Sequence, residues 1–286
     1  MPRYAGPLLT RALAESLLAA RDAQASTFTA SFDLGRSNTT ATFDAAGWCL
    51  RDQRYPWPDG LKERTIYAFD GAAFVPLQRY ADALIKLVPT EWGTPIFEID
   101  GIKMLVSARI APMEDARRKV ALVQPSGKQI LDTCGGLGYF AACCLAEGAA
   151  RIHSFEKNRD VSWLRRHNPW SPDPDSVEAG GRLQLVQGDV AVAIADLPDQ
   201  SFDAVLHDPP RFGIAGELYA QSFYDQLARV LRPQGRLFHY TGAPNRRTSG
   251  RDVPAEVTRR LAKSGFTTEL ALDGVFATKA TPRSRR

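Results

Sequence analysis

Cysteine is scarce: four residues in 286 (Cys49, Cys134, Cys143 and Cys144), with no CxxC pair among them. Without a disulfide framework or a zinc-type spacing, the chain reads as a reduced, cytoplasmic protein. Histidine is as sparse. His153, His167, His207 and His239 stand far apart, so no local ligand set assembles and no metal is expected. Long apolar runs are missing as well. No stretch approaches the roughly 20 residues needed to cross a bilayer. In the leucine-rich opening, 8–18, Arg11 and Glu15 interrupt the run, and Leu9, Leu13 and Leu17 recur every four residues. That spacing marks a helix face and not a signal peptide. Membrane-spanning and secreted classes are therefore not expected. A dominant charge is also absent: 36 Lys+Arg against 32 Asp+Glu give +4 and a pI near 8.9. This balance permits contact with a polyanion without requiring it.

What is present is core-forming composition, 44% hydrophobic and 24% charged, in a chain long enough to bury a large core unaided. Its character changes near residue 105. Residues 1–105 are expected to form a smaller β-rich domain, serving acceptor recognition or as a lid. Its strands are placed at 27–34, 40–50, 65–69 and 95–99, separated by turn signals such as Pro56-Trp57-Pro58-Asp59-Gly60. A short helix is expected over 77–87. From 106 to 286 strand and helix alternate. Helices are expected at 113–122, 139–147, 160–167, 190–195, 217–231 and 254–264. Strands are expected at 129–132, 151–156, 183–187, 202–207 and 236–240, with a closing pair at 266–272 and 275–280 turning at Asp273-Gly274. Short apolar strands alternating with helices imply a parallel sheet covered on both faces. The fold class is α/β: a Rossmann-like sheet of parallel strands closed by a C-terminal antiparallel hairpin.

The strongest motif is Ile130-Leu131-Asp132-Thr133-Cys134-Gly135-Gly136-Leu137-Gly138-Tyr139. An apolar strand ends in an acid, and a glycine-rich turn then opens a helix. Glycines allow close backbone approach to a ligand, and the helix start offers free N–H groups. Asp132 suits an ammonium group better than a phosphate. Glu156 ends the next strand, 20 residues after Gly136, where a carboxylate accepts from ribose hydroxyls. Asp189 follows the third strand, and Asp208-Pro209-Pro210-Arg211-Phe212 follows the fourth. Singly, each acid is as well explained as a solvated strand end. Together they line the carboxyl edge of consecutive strands, where open α/β sheets bind ligands.

On these residues the chain from about 111 onward resembles class I S-adenosylmethionine-dependent methyltransferases. It resembles more narrowly a group of predicted archaeal-type methyltransferases, through Asn168-Pro169-Trp170-Ser171, the His207–Phe212 stretch, Gly216-Glu217-Leu218-Tyr219 and Phe238-His239-Tyr240. The resemblance implies S-adenosyl-L-methionine as cofactor, with the loop from Asp132 through Cys134, Gly136 and Gly138 around its methionine part. Glu156 would hold its ribose and Asp189 would border its adenine, with Lys157, Val190 and Asp208 also among its contacts. Asp208, Pro209 and Pro210 would line the acceptor site.

The acceptor is less constrained. Arg211 stands where amine-methylating relatives place an aromatic residue, and Phe212 follows it. No cysteine lies in that stretch to form the covalent adduct that methylation at a pyrimidine C5 requires. A heteroatom acceptor is therefore expected. His207 and His239, at neighbouring strand ends, are the candidate general bases. Arg211, Phe212, Tyr219 and Tyr240 are candidate substrate contacts. Arg165, Arg166, Arg246, Arg247, Arg251, Arg283, Arg285 and Arg286 supply local positive charge. RNA is thus slightly favoured as acceptor over a small molecule or a protein. Two alternatives stand beside methyl transfer. One is an aminopropyl or aminocarboxypropyl transferase using the same cofactor; the other is a cofactor-binding, RNA-associated module without turnover.

Overall fold

The computed structural model describes residues 6–242 and 252–281. The chain divides into two compact units: Met1–Pro112 with Trp163–Ser171, and Met113–Ser162 with Pro172–Arg286.

The first unit is β-rich. After β1 (Leu8–Leu9) comes α1 (Arg11–Asp22), capped by Thr10, whose hydroxyl accepts from Leu13 N–H. Strands β2 (Thr27–Ala30), β3 (Thr39–Asp44), β4 (Gly47–Leu50) and β5 (Gln53–Tyr55) form an antiparallel meander. β6 (Tyr67–Phe69) joins β1 to β7 (Phe74–Pro76). β8 (Gln78–Tyr80), β9 (Leu84–Val88), β10 (Ile96–Ile99) and β11 (Ile102–Lys103) make a third sheet. The wholly buried Trp48 centres the core, stacked on Phe32 at 5.2 Å and Tyr55 at 4.9 Å.

The single strand expected over 40–50 is the hairpin of β3 and β4, with Asp44 opposite Gly47. Residues 77–87 form the hairpin of β8 and β9 instead of a helix, with Gln78, Arg79 and Tyr80 opposite Lys86, Ile85 and Leu84. Burial alternates through Leu84–Leu87, a strand period that the apolar spacing of the segment disguises. The compact units meet at Pro112, and Trp163–Ser171 belongs with the first. Two tryptophans explain that assignment. The Arg79 guanidinium lies 4.3 Å above the Trp163 ring, and the Trp170 indole N–H donates to the Leu34 carbonyl at 2.9 Å.

The second unit holds a seven-stranded sheet. Its five parallel strands are β12 (Gln129–Asp132), β13 (Arg151–Glu156), β14 (Leu183–Gln187), β15 (Phe202–His207) and β16 (Leu231–Tyr240). β17 (Phe266–Ala271) and β18 (Gly274–Lys279) complete it in the order β14-β13-β12-β15-β16-β18-β17, with β18 antiparallel to both neighbours. The helices that follow β11 are α2 (Pro112–Val123), α3 (Tyr139–Ala146), α4 (Arg159–His167), α5 (Val190–Ala193), α6 (Gln221–Val230) and α7 (Val253–Lys263), α4 counting with the first unit from Trp163 onward. β12 to β15 occupy the spans expected of them. The helix expected over 217–231 is instead a 3-10 turn, Gly216–Tyr219, followed after Ala220 by α6.

The strand order reverses around β12, which pairs with β13 on one side and β15 on the other. Such a switch point opens a crevice at the carboxyl ends of the strands. The core packs Val205, Leu237, Tyr224, Leu227, Leu261 and Val275 on one side of this sheet. Among the described residues, no helix is long and apolar enough to cross a membrane.

Candidate active site

The glycine-rich turn between β12 and α3 is built as its sequence implies. Gly136 and Gly138 have φ of +50° and +83°, which side-chain-bearing residues rarely adopt. Gly138 caps α3 in that left-handed conformation without any side-chain bond. Glu156 ties the turn to the next strand end: its Oε2 accepts from Gly136 N–H at 2.9 Å and its Oε1 from Asn158 N–H at 2.7 Å. The carboxylate thus stands fixed at the mouth of the turn. At the third strand end Asp189 accepts from Ala191 N–H at 2.9 Å and pairs with Lys157 Nζ at 2.7 Å. Burial works against the Asp189 charge, but the Lys157 ammonium and the Ala191 N–H outweigh it and hold the carboxyl below its ordinary range. Val190, the next residue, is buried beneath.

Asp132 departs from expectation. Its carboxylate is wholly buried, and Oδ2 accepts from Ser154 Oγ at 2.7 Å. A group with no accessible surface is not touched by a ligand, so Asp132 braces β12 and β13 beneath the turn instead of facing an ammonium directly. Cys134 is partly exposed in the turn, yet burial of its sulfur pushes the thiol well above its ordinary value. A thiol so displaced is a poor nucleophile at neutral pH.

The two histidines are corrected outright as candidate bases. Both are wholly buried, their rings 4.4 Å apart. His207 Nε2 lies 3.1 Å from the Leu218 carbonyl, which only accepts, so that nitrogen carries the proton. Its Nδ1 then accepts from the Thr133 hydroxyl at 2.7 Å. By the same logic His239 Nδ1 donates to the Tyr240 carbonyl at 2.9 Å, and Nε2 accepts from the Tyr224 hydroxyl at 3.0 Å. Neither ring keeps a lone pair for an acceptor's proton. Burial drives both pKa values down, His207 far below its ordinary value and His239 to about 4. Their work is mechanical: His207 ties the glycine-rich turn, through Thr133, to the 3-10 turn that carries Tyr219.

Tyr219 in turn donates to the Pro210 carbonyl at 3.1 Å, and its ring meets Phe212 edge-on at 5.5 Å. Its hydroxyl is therefore committed to the Asp208-Pro209-Pro210 stretch. Asp208 and Pro210 are partly exposed, and Pro209 is buried. Two successive prolines supply no N–H, so this strand end presents acceptors of hydrogen bonds and hardly any donor. The Asp208 carboxylate has no hydrogen bond or ion pair among the described residues. Burial raises its pKa to about 6; Lys119 opposes the rise, while Asp115 and Asp132 add to it. Arg211 is exposed and pairs with nothing among the described residues, Glu217 included. Tyr240, opposite on β16, is partly exposed.

The accessible groups along the sheet edge are thus Cys134, Gly136, Glu156, Lys157, Asp189, Asp208, Pro210, Arg211, Phe212 and Tyr240. Carboxylates at three strand ends, a glycine turn and a helix start make a donor set suited to a cationic nucleoside, so the residues fit S-adenosyl-L-methionine. Among the described residues, no group of three or more His, Cys, Asp or Glu side chains is placed to hold a metal ion. Arg165, expected as surface charge, is buried, whereas Arg166 is exposed. Arg246, Arg247, Arg251, Arg283, Arg285 and Arg286 lie outside the described residues.

Sequence reasoning missed Lys119. It is 2% exposed on the inner face of α2, beside Ala116, Val120 and Val123. Its Nζ pairs with Asp115 at 2.5 Å and sits 4.1 Å from the Tyr240 ring centroid. The available signal was a lysine at an apolar helix position with an acid four residues before it.

Residues 170–267 match a family described as S-adenosyl-L-methionine-dependent methyltransferase. The chain is 43% identical over 182 residues to the uncharacterized protein MJ1233 of Methanocaldococcus jannaschii, covering 63% of this chain and 61% of that one. It is 30% identical over 142 residues to polyamine aminopropyltransferase 2 of Streptomyces coelicolor, covering 47% of this chain and 26% of that enzyme. In each case the match spans less than two thirds of the relative's length. The fold is shared with a spermidine synthase crystallised with the transition-state analogue AdoDATO, at a TM-score of 0.55 and 17% identity over 71% of this chain and 73% of that one.

Proposed function

We infer that this chain, which carries the S-adenosyl-L-methionine-dependent methyltransferase family match and fold, transfers the cofactor's methyl group to a nitrogen held against Asp208. The observation that carries the reading is the Asp208 carboxyl: partly exposed, unpaired among the described residues, and raised to about 6. S-adenosyl-L-methionine, when bound, supplies an activated methyl group, so the protein need only position the acceptor and take its proton. Glu156 and Asp189 would hold the nucleoside at successive strand ends, and Lys157 would orient Asp189. An acceptor N–H would donate to the Asp208 carboxylate and the Pro209 carbonyl, which aims the nitrogen lone pair toward the turn. A carboxylate with a pKa near 6 is also a stronger base than an ordinary aspartate.

RNA is the acceptor class we favour. Arg211 offers an unpaired cation beside Phe212 and Tyr240, a combination that suits a phosphate and a flat base. Aminopropyl transfer is the second reading, favoured by the shared spermidine synthase fold. Against it, an exposed arginine next to the acceptor motif repels a polycationic amine.

Incubation with cofactor labelled in its methyl group and separate pools of RNA, metabolites and protein tests both. The expected result is label in RNA with S-adenosylhomocysteine as by-product. Methylthioadenosine would establish aminocarboxypropyl transfer instead, and its release from decarboxylated S-adenosylmethionine in a parallel incubation would establish aminopropyl transfer. Asp208→Asn is expected to lower kcat/KM on the labelled pool by about 100-fold or more, leaving cofactor affinity by calorimetry within about threefold.

A further inference from the structure

Gln187 has no part in the transfer reading, yet its side chain is spent on the backbone of a residue that has one. It ends β14 and pairs in register with Glu156, where the ladder between β13 and β14 stops. Its Nε2 donates to the Glu156 carbonyl at 2.8 Å and to the Lys157 carbonyl at 2.9 Å. Carbonyls only accept, so the amide nitrogen faces both and each of its protons is used. The Gly188 N–H reaches the same Glu156 carbonyl at 3.0 Å. The Glu156 carboxylate meanwhile spans Gly136 N–H at 2.9 Å and Asn158 N–H at 2.7 Å. A side chain bonded to two separate turns reaches both only from a narrow range of backbone positions. The amide fork on residues 156 and 157 holds that position, and the exposed Gln187 side chain does so without adding to the core.

We propose that Gln187 is a positioning residue for Glu156: its amide, forked between two successive carbonyls, fixes the strand end from which the carboxylate meets the nucleoside. The inference rests on the assignment of Glu156 to the nucleoside in the proposed function. Gln187 acts through Glu156 and does not itself touch the nucleoside. Two consequences separate this from a general contribution to stability. Loss of the fork moves the Glu156 carboxylate against Gly136 with no ligand bound, and it weakens nucleoside binding only while that carboxylate is present.

The first test reads the Gly136 amide proton by NMR in the full-length, ligand-free protein. With 15N-glycine and carbonyl-13C-glycine, only the Gly135-Gly136 and Gly180-Gly181 links carry both labels. Gly136 is the one of the two that moves upfield in Glu156→Ala, where its N–H loses its acceptor. Gln187→Met is expected to move it the same way, and so is Gln187→Glu, an isostere whose carboxylate has no proton to give. If neither resonance responds to Glu156→Ala, or the responding one keeps its wild-type position in both Gln187 variants, the proposal is overturned. The second test is calorimetry with S-adenosylhomocysteine as the probe. Gln187→Met should weaken binding about tenfold in the wild-type background and less than about twofold in the Glu156→Ala background. Equal losses in both backgrounds overturn the proposal, because Gln187 then acts by another route. If Glu156→Ala leaves the affinity unchanged, the nucleoside assignment has failed; if it abolishes binding, the cycle does not close. In both cases the Gly136 shift alone decides the positioning.

Discussion

At the scale of single residues, the site is defined by which polar groups remain uncommitted. Each histidine nitrogen near the sheet edge is already engaged, and Tyr219 is spent on the Pro210 carbonyl. Asp208 is not engaged in a hydrogen bond or ion pair among the described residues, and burial raises its pKa. Cys134 is the other reactive type at the edge, but burial holds it as a neutral thiol. Covalent catalysis through it is therefore not expected. Cys134→Ala should keep transferase activity within about threefold of wild type. A loss of activity comparable to that of Asp208→Asn, measured in the same assay, would instead assign the thiol a role in the chemistry.

At the scale of elements, the antiparallel strand β18 depends on a glycine whose reason is proximity. Gly274 pairs with Tyr240 of β16 and Ala271 of β17. A Cβ at that position would collide with the His239 carbonyl and the Phe238 ring. The turn itself is made one residue earlier, by Leu272 and Asp273, with Leu272 at φ +51°. Gly274→Ala should therefore cost about 2 kcal/mol or more, read as a lower urea midpoint with unchanged slope. Because β16 also carries His239 and Tyr240, the same substitution should disturb the sheet edge next to Asp208. Leu272→Gly, which relaxes the turn, should stabilise slightly by the same measurement.

At the scale of the whole molecule, buried titratable groups set the response to acid. His207 and His239 have folded pKa values below the ordinary 6.5, with His239 at about 4. The unfolded chain binds protons first as pH falls, so their stabilising effect is complete above about 6.5 and is lost as pH drops toward 4. For His239 alone this amounts to on the order of 3 kcal/mol. Asp208 acts with the opposite sign. Its folded pKa of about 6 lies above the ordinary value, so the folded state binds its proton first and gains stability as pH falls through that range. Two histidines outweigh one carboxyl, and stability from urea unfolding should fall between pH 6.5 and 4. The fall should be steeper in Asp208→Asn, which loses the compensating proton, and shallower in His239→Phe.

The alternation of short apolar strands with helices, and the acids at their ends, determined the parallel sheet and its order of candidate ligands, because strand period and glycine turns are local properties. The bounds of β12 to β15 followed from the same local signal. What only the tertiary structure decided is which of those side chains stays accessible. Asp132 and the two histidines look equivalent in sequence to Glu156 and Asp208, yet neighbouring strands and the 3-10 turn bury them and occupy their atoms. The hairpin at 77–87, the capture of Trp163–Ser171 by the β-rich unit and the charge pair beneath Tyr240 were likewise illegible, because each is fixed by partners distant in sequence. Burial and hydrogen-bond commitment are set by what packs from elsewhere in the chain, and no local pattern encodes them.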